Sequence, residues 1–161
     1  MNVITLTLNG QPAELPVEPE DTLLDALRRR AGLYGAKEGC GNGNCGACTV
    51  LLSGRPVLSC LVLAVEVAGA TITTVEGLAA PGAVDPVQAA LAREGGFQCG
   101  FCTPGLVLTA RALLDRNPDP SDDEIRRALA GNLCRCTGYD KIVRAVRAAA
   151  AGRKSEVSHP D

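Results

Sequence analysis

Tryptophan is absent from this chain, and other aromatic side chains are scarce: Tyr34, Tyr139, Phe97 and Phe101 in 161 residues. Nucleic-acid bases stack on aromatic faces, so the chain offers no platform for them. The formal charge is −2, and no basic run is long enough to make the electrostatic footprint of a nucleic-acid binder. Arg28-Arg29-Arg30 reads as a solvated helix end, with partner docking as the alternative. Histidine is nearly absent as well. His159, close to the end, is the one imidazole, which removes Ser–His and Cys–His hydrolysis and the two-histidine Rieske centre. Long apolar runs are missing: Leu61-Val62-Leu63-Ala64-Val65 stops at Glu66, so no membrane span is expected. Met1-Asn2-Val3-Ile4-Thr5 has neither the basic start nor the apolar core of a secretory leader. The expected compartment is the reducing cytoplasm, where cysteines serve metals or catalysis rather than disulfides.

Cysteine is what the chain has. Its eight cysteines divide into two sets of four. Cys40-x4-Cys45-x2-Cys48 is completed by Cys60, and Cys99-x2-Cys102 by Cys134-x-Cys136. Thiolates are the preferred donors for sulfide-bridged iron, a 2Fe–2S cluster takes four of them, and x4/x2/distant is the plant-type ferredoxin spacing. Two such clusters in one short chain predict an electron relay. Gly39, Gly41, Gly43 and Gly46 surround the first three cysteines, and glycine lets the backbone wrap close to sulfide with its N–H groups inward. Structural zinc is the competing reading. It is weaker at the first set than at the second, where C-x2-C is common in zinc knuckles. Gly41-Asn42-Gly43-Asn44-Cys45-Gly46 matches the dinucleotide fingerprint, but a cysteine interrupts it and no acidic residue follows until position 66, so it is rejected.

The pattern of the chain changes once. Alternating Ile4, Leu6 and Leu8, the Asn9-Gly10 turn and a return strand over 11–17 with Pro12 and Pro16 predict a hairpin whose second strand lies at a sheet edge. Thr22 with Asp25 predicts a capped helix, residues 49–53 and 55–59 a second hairpin about Gly54, and 71–74 a last strand. After about Glu76 the period becomes helical. Asp85-Pro86 with Gln88, Thr103-Pro104, Ser121 with Glu124, and the stripe from Tyr139 through Ile142, Val143 and Val146 mark four helices. Cys99 and Cys102 precede the second of these helices, and Cys134 and Cys136 the fourth. Helix N-termini favour the anionic charge of a thiolate-ligated cluster. The expected division is an α+β domain over 1–76, a linker over 77–84, an all-α domain over 85–152 and a mobile tail over 153–161. Phe97 and Phe101 are expected to pack over the second set, and Tyr139 to anchor its helix by a hydrogen-bonded tip.

Three blocks carry a resemblance: Glu38-Gly39-Cys40-Gly41-x-Gly43-x-Cys45-Gly46-Ala47-Cys48-Thr49-Val50, Gln98-Cys99-Gly100-Phe101-Cys102-Thr103-Pro104-Gly105, and Gly131-Asn132-Leu133-Cys134-Arg135-Cys136-Thr137-Gly138-Tyr139. Together they resemble the iron–sulfur small subunit of the molybdenum hydroxylases, the family of xanthine dehydrogenase, aldehyde oxidoreductase and aerobic carbon monoxide dehydrogenase. The resemblance implies a β-grasp ferredoxin domain followed by a four-helix-bundle domain, each with one 2Fe–2S cluster. It implies that no substrate is oxidised on this chain and that no catalytic residue resides here. It further implies two separate polypeptides: a molybdenum-binding large subunit with molybdopterin cytosine dinucleotide, and an FAD-binding medium subunit. The implied assembly is a dimer of heterotrimers. Gln98 and Cys136 would approach the pterin, Gln98 otherwise tying its own loop together. Gly41 stands where many members carry Asp, which implies a changed local field without loss of ligation. A free-standing two-cluster ferredoxin and a zinc-stapled interaction module are the alternatives. The substrate of the complex is not legible in this chain.

Overall fold

The computed structural model describes residues 2–157, with side chains through residue 153. The chain starts as the hairpin β1 (Asn2–Leu8) and β2 (Gln11–Val17), joined through Asn9 (φ 50°) and Gly10 (φ 80°), the left-handed pair that a two-residue turn requires. β3 (Thr49–Leu52) and β4 (Arg55–Leu58) form the second hairpin, and β5 (Thr71–Thr73) closes the sheet. The strand order is β2-β1-β5-β3-β4, with β1 and β5 parallel and the other pairs antiparallel. Both prolines of β2 therefore sit at an edge, where a missing N–H costs no ladder bond. Ile4, Leu6, Leu15, Val17, Val50 and Ile72 face one side of this mixed sheet. Leu23, Leu24 and Leu27 cover it, all buried.

Those leucines belong to α1 (Leu23–Asp25), which opens on the expected Thr22/Asp25 capping box and widens into a π-type turn over Ala26–Arg30. Here the structure departs from expectation. Arg28 is not a solvated helix end: its guanidinium donates to the carbonyls of Ala36 (2.8 Å) and Tyr34 (3.3 Å) and lies over the Tyr34 ring. It thereby ties down the stretch of chain that leads into Cys40.

Four helices follow: α2 (Pro86–Glu94), α3 (Thr103–Arg116), α4 (Asp122–Leu129) and α5 (Asp140–Val157). Val87, Leu91, Leu106, Val107, Leu114, Ile125, Leu129, Ile142 and Val146 form their common core. Capping boxes at Asp85/Gln88 and Ser121/Glu124 are present as expected. Asp85 is buried, accepts Val87 N–H at 2.8 Å and pairs with Arg111 of α3. Arg111 holds its proton more tightly than usual: burial opposes the charge, but the carboxylates of Asp115 and Asp85 outweigh it.

Two helix-boundary expectations are corrected. Thr103 is not a cap: Cys102 occupies that position in helical backbone, no side chain caps the end, and Thr103 Oγ1 is buried without a partner. The expected tail over 153–161 is helix as far as Val157, with Arg153 reaching Asp115 at 2.9 Å, and positions 158–161, His159 included, lie outside the described residues.

The two cores meet. Leu51 of β3 packs against Leu108 and Ala112 of α3, all buried. Burying these apolar side chains together favours contact between the sheet and α3. Among the described residues no helix is long and apolar enough to cross a membrane.

Candidate metal centres

The loop before β3 follows a left-handed path at Gly41 (φ 66°), Gly43 (φ 82°) and Gly46 (φ 73°). Backbone N–H groups consequently turn toward sulfur. Asn42, Cys45 and Asn44 donate to Cys40, whose thiol is lowered to about 7 chiefly by the Asn42 bond. At two glycines of this loop a side chain would collide. A Cβ on Gly39 would stand 2.9 Å from Cys45 Sγ, and one on Gly46 would meet the Gly131 carbonyl. A Cβ at Gly41 would approach only the Glu38 carboxylate, at 3.4 Å, so this position has room but needs its φ.

Cys60 arrives from the 3₁₀ turn after β4, and its sulfur lies 3.4 Å from that of Cys48. Burial raises Cys60 to about 11, with the neighbouring Cys48 adding to the effect, and burial also raises Cys45. Cys45 feels both Cys40 and Cys48, so the four sulfurs form one group of two pairs. Cys48 is buried and Cys40 exposed.

The second set is built from two helix approaches. Cys99 and Cys102 sit on the turn entering α3, opened by Gly100 (φ 80°). Cys134 and Cys136 sit on the loop entering α5. Cys99 and Cys136 Sγ are 3.6 Å apart, and both residues are exposed. Cys102 pairs with Cys134; burial, then that neighbour, pushes Cys102 up to about 12. Cys134 moves the other way. Burial would raise it, but the Thr137 hydroxyl at 3.1 Å and the N–H groups of Thr137 and Cys136 hold it below its ordinary value. Cys136 is raised by its bond to Cys99.

All eight cysteines are free thiols, at separations well beyond the ~2.05 Å of a disulfide. Two thiolates on one tetrahedral metal stand about 3.7 Å apart when each bond is about 2.3 Å. Cys48 with Cys60 at 3.4 Å and Cys99 with Cys136 at 3.6 Å fit that, one such pair in each set. Among the described residues no group of three or more His, Cys, Asp or Glu side chains is arranged around a single ion. Four thiolates held as two pairs are the donor number that a 2Fe–2S core takes.

The ligand loops touch each other. Leu133 N–H donates to the carbonyl of Cys45 at 2.8 Å. Asn132, buried, donates to Gly46 O (3.0 Å) and Thr49 Oγ1 (3.1 Å). Gln98 donates to the Cys136 carbonyl at 3.1 Å, so it does tie its loop to the second set. Phe97 and Phe101 pack only in part: both residues are nearly half exposed, with the Phe101 ring edge beside Gly39 of the first ligand loop. Asn132, Thr137 and Glu76, which accepts Gly35 N–H at 2.7 Å, carry structure that spacing does not single out. Asn132 and Thr137 at least stand within a motif block, beside ligand cysteines.

Comparison with known proteins agrees with this arrangement. Residues 6–73 match the 2Fe-2S iron-sulfur cluster binding domain family, and residues 74–147 match a [2Fe-2S] binding domain family. The small FeS subunit of nicotinate dehydrogenase from Eubacterium barkeri is 53% identical over 149 residues, covering 91% of this chain and 95% of the relative. The small subunit of nicotine 6-hydroxylase from Paenarthrobacter nicotinovorans is 48% identical over 143 residues, covering 89% of this chain and 86% of its own length. Among solved structures, quinoline 2-oxidoreductase from Pseudomonas putida 86 superposes with a TM-score of 0.92 at 47% identity, over 96% of either chain. The aldehyde oxidoreductase of Desulfovibrio desulfuricans superposes at 0.93 and 46% identity over 97% of this chain, but over only 18% of its own longer one. The sulfur quartets, the glycine-shaped loop and these alignments lead to one conclusion: the chain belongs to the two-cluster iron–sulfur small subunits of the molybdenum hydroxylases.

Proposed function

We propose that this chain is the electron-transfer subunit of a multi-subunit molybdenum hydroxylase, relaying electrons from a molybdopterin site to FAD in partner subunits. Cys40, Cys45, Cys48 and Cys60 are its first ligand set, and Cys99, Cys102, Cys134 and Cys136 its second. When bound, each 2Fe–2S group supplies a site that holds one electron at a time, which suits the stepwise handling of a two-electron oxidation. The residues of the chain hold the ligands, aim N–H groups at them and bring the two sets together. The observation that carries this reading is the bond from Leu133 N–H to the Cys45 carbonyl, since it joins the two ligand-bearing loops without intervening chain.

The exposed members of each set, Cys40 on one and Cys99 and Cys136 on the other, suit contact with partner subunits. Gln98 and Cys136 are assigned to the side facing molybdopterin cytosine dinucleotide, and the bond between them supports treating them as one surface. Gly41, Gly43 and Gly46 are assigned to the backbone cradle of the first cluster. In this reading the first 76 residues form a β-grasp ferredoxin domain, 77–84 a linker and 85–152 a four-helix bundle. The assembly is a cytoplasmic dimer of heterotrimers.

Purification of the intact complex tests the assignment. About four irons with acid-labile sulfide per chain, molybdenum and FAD are expected alongside it. A colourless chain containing zinc would end the relay reading, and a monomer that never associates with molybdenum or flavin subunits would favour a free-standing ferredoxin.

A further inference from the structure

Among the described residues, Thr137 is the one side-chain hydroxyl within hydrogen-bond reach of a cysteine sulfur, at 3.1 Å from Cys134 Sγ. A metal-bound thiolate carries no proton, so in the loaded protein the hydroxyl must be the donor. Its orientation is prepared. Tyr139 N–H donates to Thr137 Oγ1 at 3.3 Å, occupying an acceptor site on the oxygen and leaving its hydrogen for the sulfur.

That geometry depends on unusual backbone. Gly138 (φ 67°) and Tyr139 (φ 69°) are consecutive left-handed residues, and for a bulky side chain such a φ is strained. The surroundings hold it there. The Tyr139 hydroxyl donates to Asn132 O (2.8 Å) and accepts Cys134 N–H (2.7 Å), so the ring spans the loop like a brace. The second of these bonds occupies the Cys134 amide, and the Thr137 hydroxyl is the side-chain donor at this ligand. The first set has no counterpart among the described residues: Cys40, Cys45 and Cys60 are served by main-chain donors from Asn42, Ala47 and Gly43.

We propose that the Thr137 hydroxyl raises the reduction potential of the second cluster by hydrogen bonding to Cys134, with Tyr139 acting as its positioning residue. The inference rests on the assignment of Cys134 as a ligand. Reduction adds one negative charge, part of it on the ligand sulfur, so a donor there stabilises the reduced form more than the oxidised one.

The test is a redox titration of the intact complex followed by electron paramagnetic resonance, with Thr137→Val, Thr137→Ala and Thr137→Ser. Val keeps the shape, Ala removes bulk, and Ser keeps the oxygen. Val and Ala are expected to lower the ratio of reduced to oxidised protein about tenfold at a fixed poise for one of two signals, a shift of about 59 mV for one electron. Ser should match the parent, and the other signal should not move. Loss of that signal in Val and Ala at unchanged iron content, with retention in Ser, places the potential below the reductant's reach and supports the proposal, whereas loss of iron along with the signal overturns it. Unmoved potentials in Val and Ala, a shift in Val alone, or an equal effect of all three substitutions overturns the proposal. Absence of a second signal in the unsubstituted complex is a different failure, that of the ligand assignment itself.

Discussion

The two ligand sets meet the same chemical demand by different means. Around Cys40, Cys45 and Cys48 the backbone is the active material: left-handed glycines fold the chain about the sulfurs, and the donors are main-chain N–H groups. Around Cys134 a side-chain hydroxyl takes part, itself held by a strained tyrosine. Supporting structure differs in the same sense. The sheet side rests on an apolar face under Leu23, Leu24 and Leu27, whereas the helical side adds an ion pair between buried Asp85 and partly buried Arg111. A site built from backbone tolerates side-chain exchange except at glycine. A site built from side chains can be tuned one residue at a time.

The junction is where the comparison breaks most readily. Gly46→Ala would force a left-handed alanine and drive its Cβ into Gly131 O, with Asn132 Nδ2 2.7 Å away. A loss of about 3 kcal/mol or more is expected, seen as a lower Tm and reduced iron content. Wild-type Tm and iron in that variant would show that the two loops are not locked together.

Asp85→Ala should strike the helical side alone. It removes a cap and leaves Arg111 with Asp115 only, for a cost of about 3 kcal/mol. Hydrogen exchange should accelerate in α2 and α3 while β1 and β5 stay protected; equal acceleration in both regions would erase the distinction between them.

Asn132→Ala removes two buried bonds across the junction, worth about 1–3 kcal/mol in urea denaturation. An unchanged urea midpoint would mean that those bonds do not hold the junction. The smallest effect concerns Glu124. Its carboxyl lies below the ordinary range, held there by the Ser121 backbone N–H and then the Ser121 hydroxyl. A carboxyl depressed in the folded state contributes stability that is present above its unfolded value of about 4.3 and is lost as pH falls through the folded value. Glu124→Gln should therefore lower Tm slightly at pH 7 and not at all in strong acid; a gap independent of pH would remove the charge from the explanation.

Much of this is legible in the sequence because it is local. Cysteine spacing, the Asn9-Gly10 turn, the prolines of β2 and the capping boxes each depend on residues within a few positions. The turn, the edge prolines and the boxes stand where local chemistry puts them. The misses depend on distance or on unusual dihedrals. Arg28 has the composition of one solvated arginine among three, but the π-type turn after α1 aims it at the carbonyls of Tyr34 and Ala36. Thr103 has the composition of a cap, yet the chain needs Cys102 at that corner with its sulfur toward Cys134. Phe97 and Phe101 suggest packing because aromatic residues usually pack, while both residues stay nearly half exposed in this chain. Thr137 gives no signal beyond its neighbours. Only the paired left-handed residues after it place its oxygen beside Cys134.

Spin-quantified electron paramagnetic resonance of the dithionite-reduced intact complex tests the central claim most directly. Two distinguishable 2Fe–2S signals, each integrating to about one spin per chain, are predicted, one lost in Cys60→Ser and the other in Cys134→Ser. A single signal, or one signal abolished by both substitutions, would contradict a chain that carries two separate iron centres on two separate sets of four cysteines.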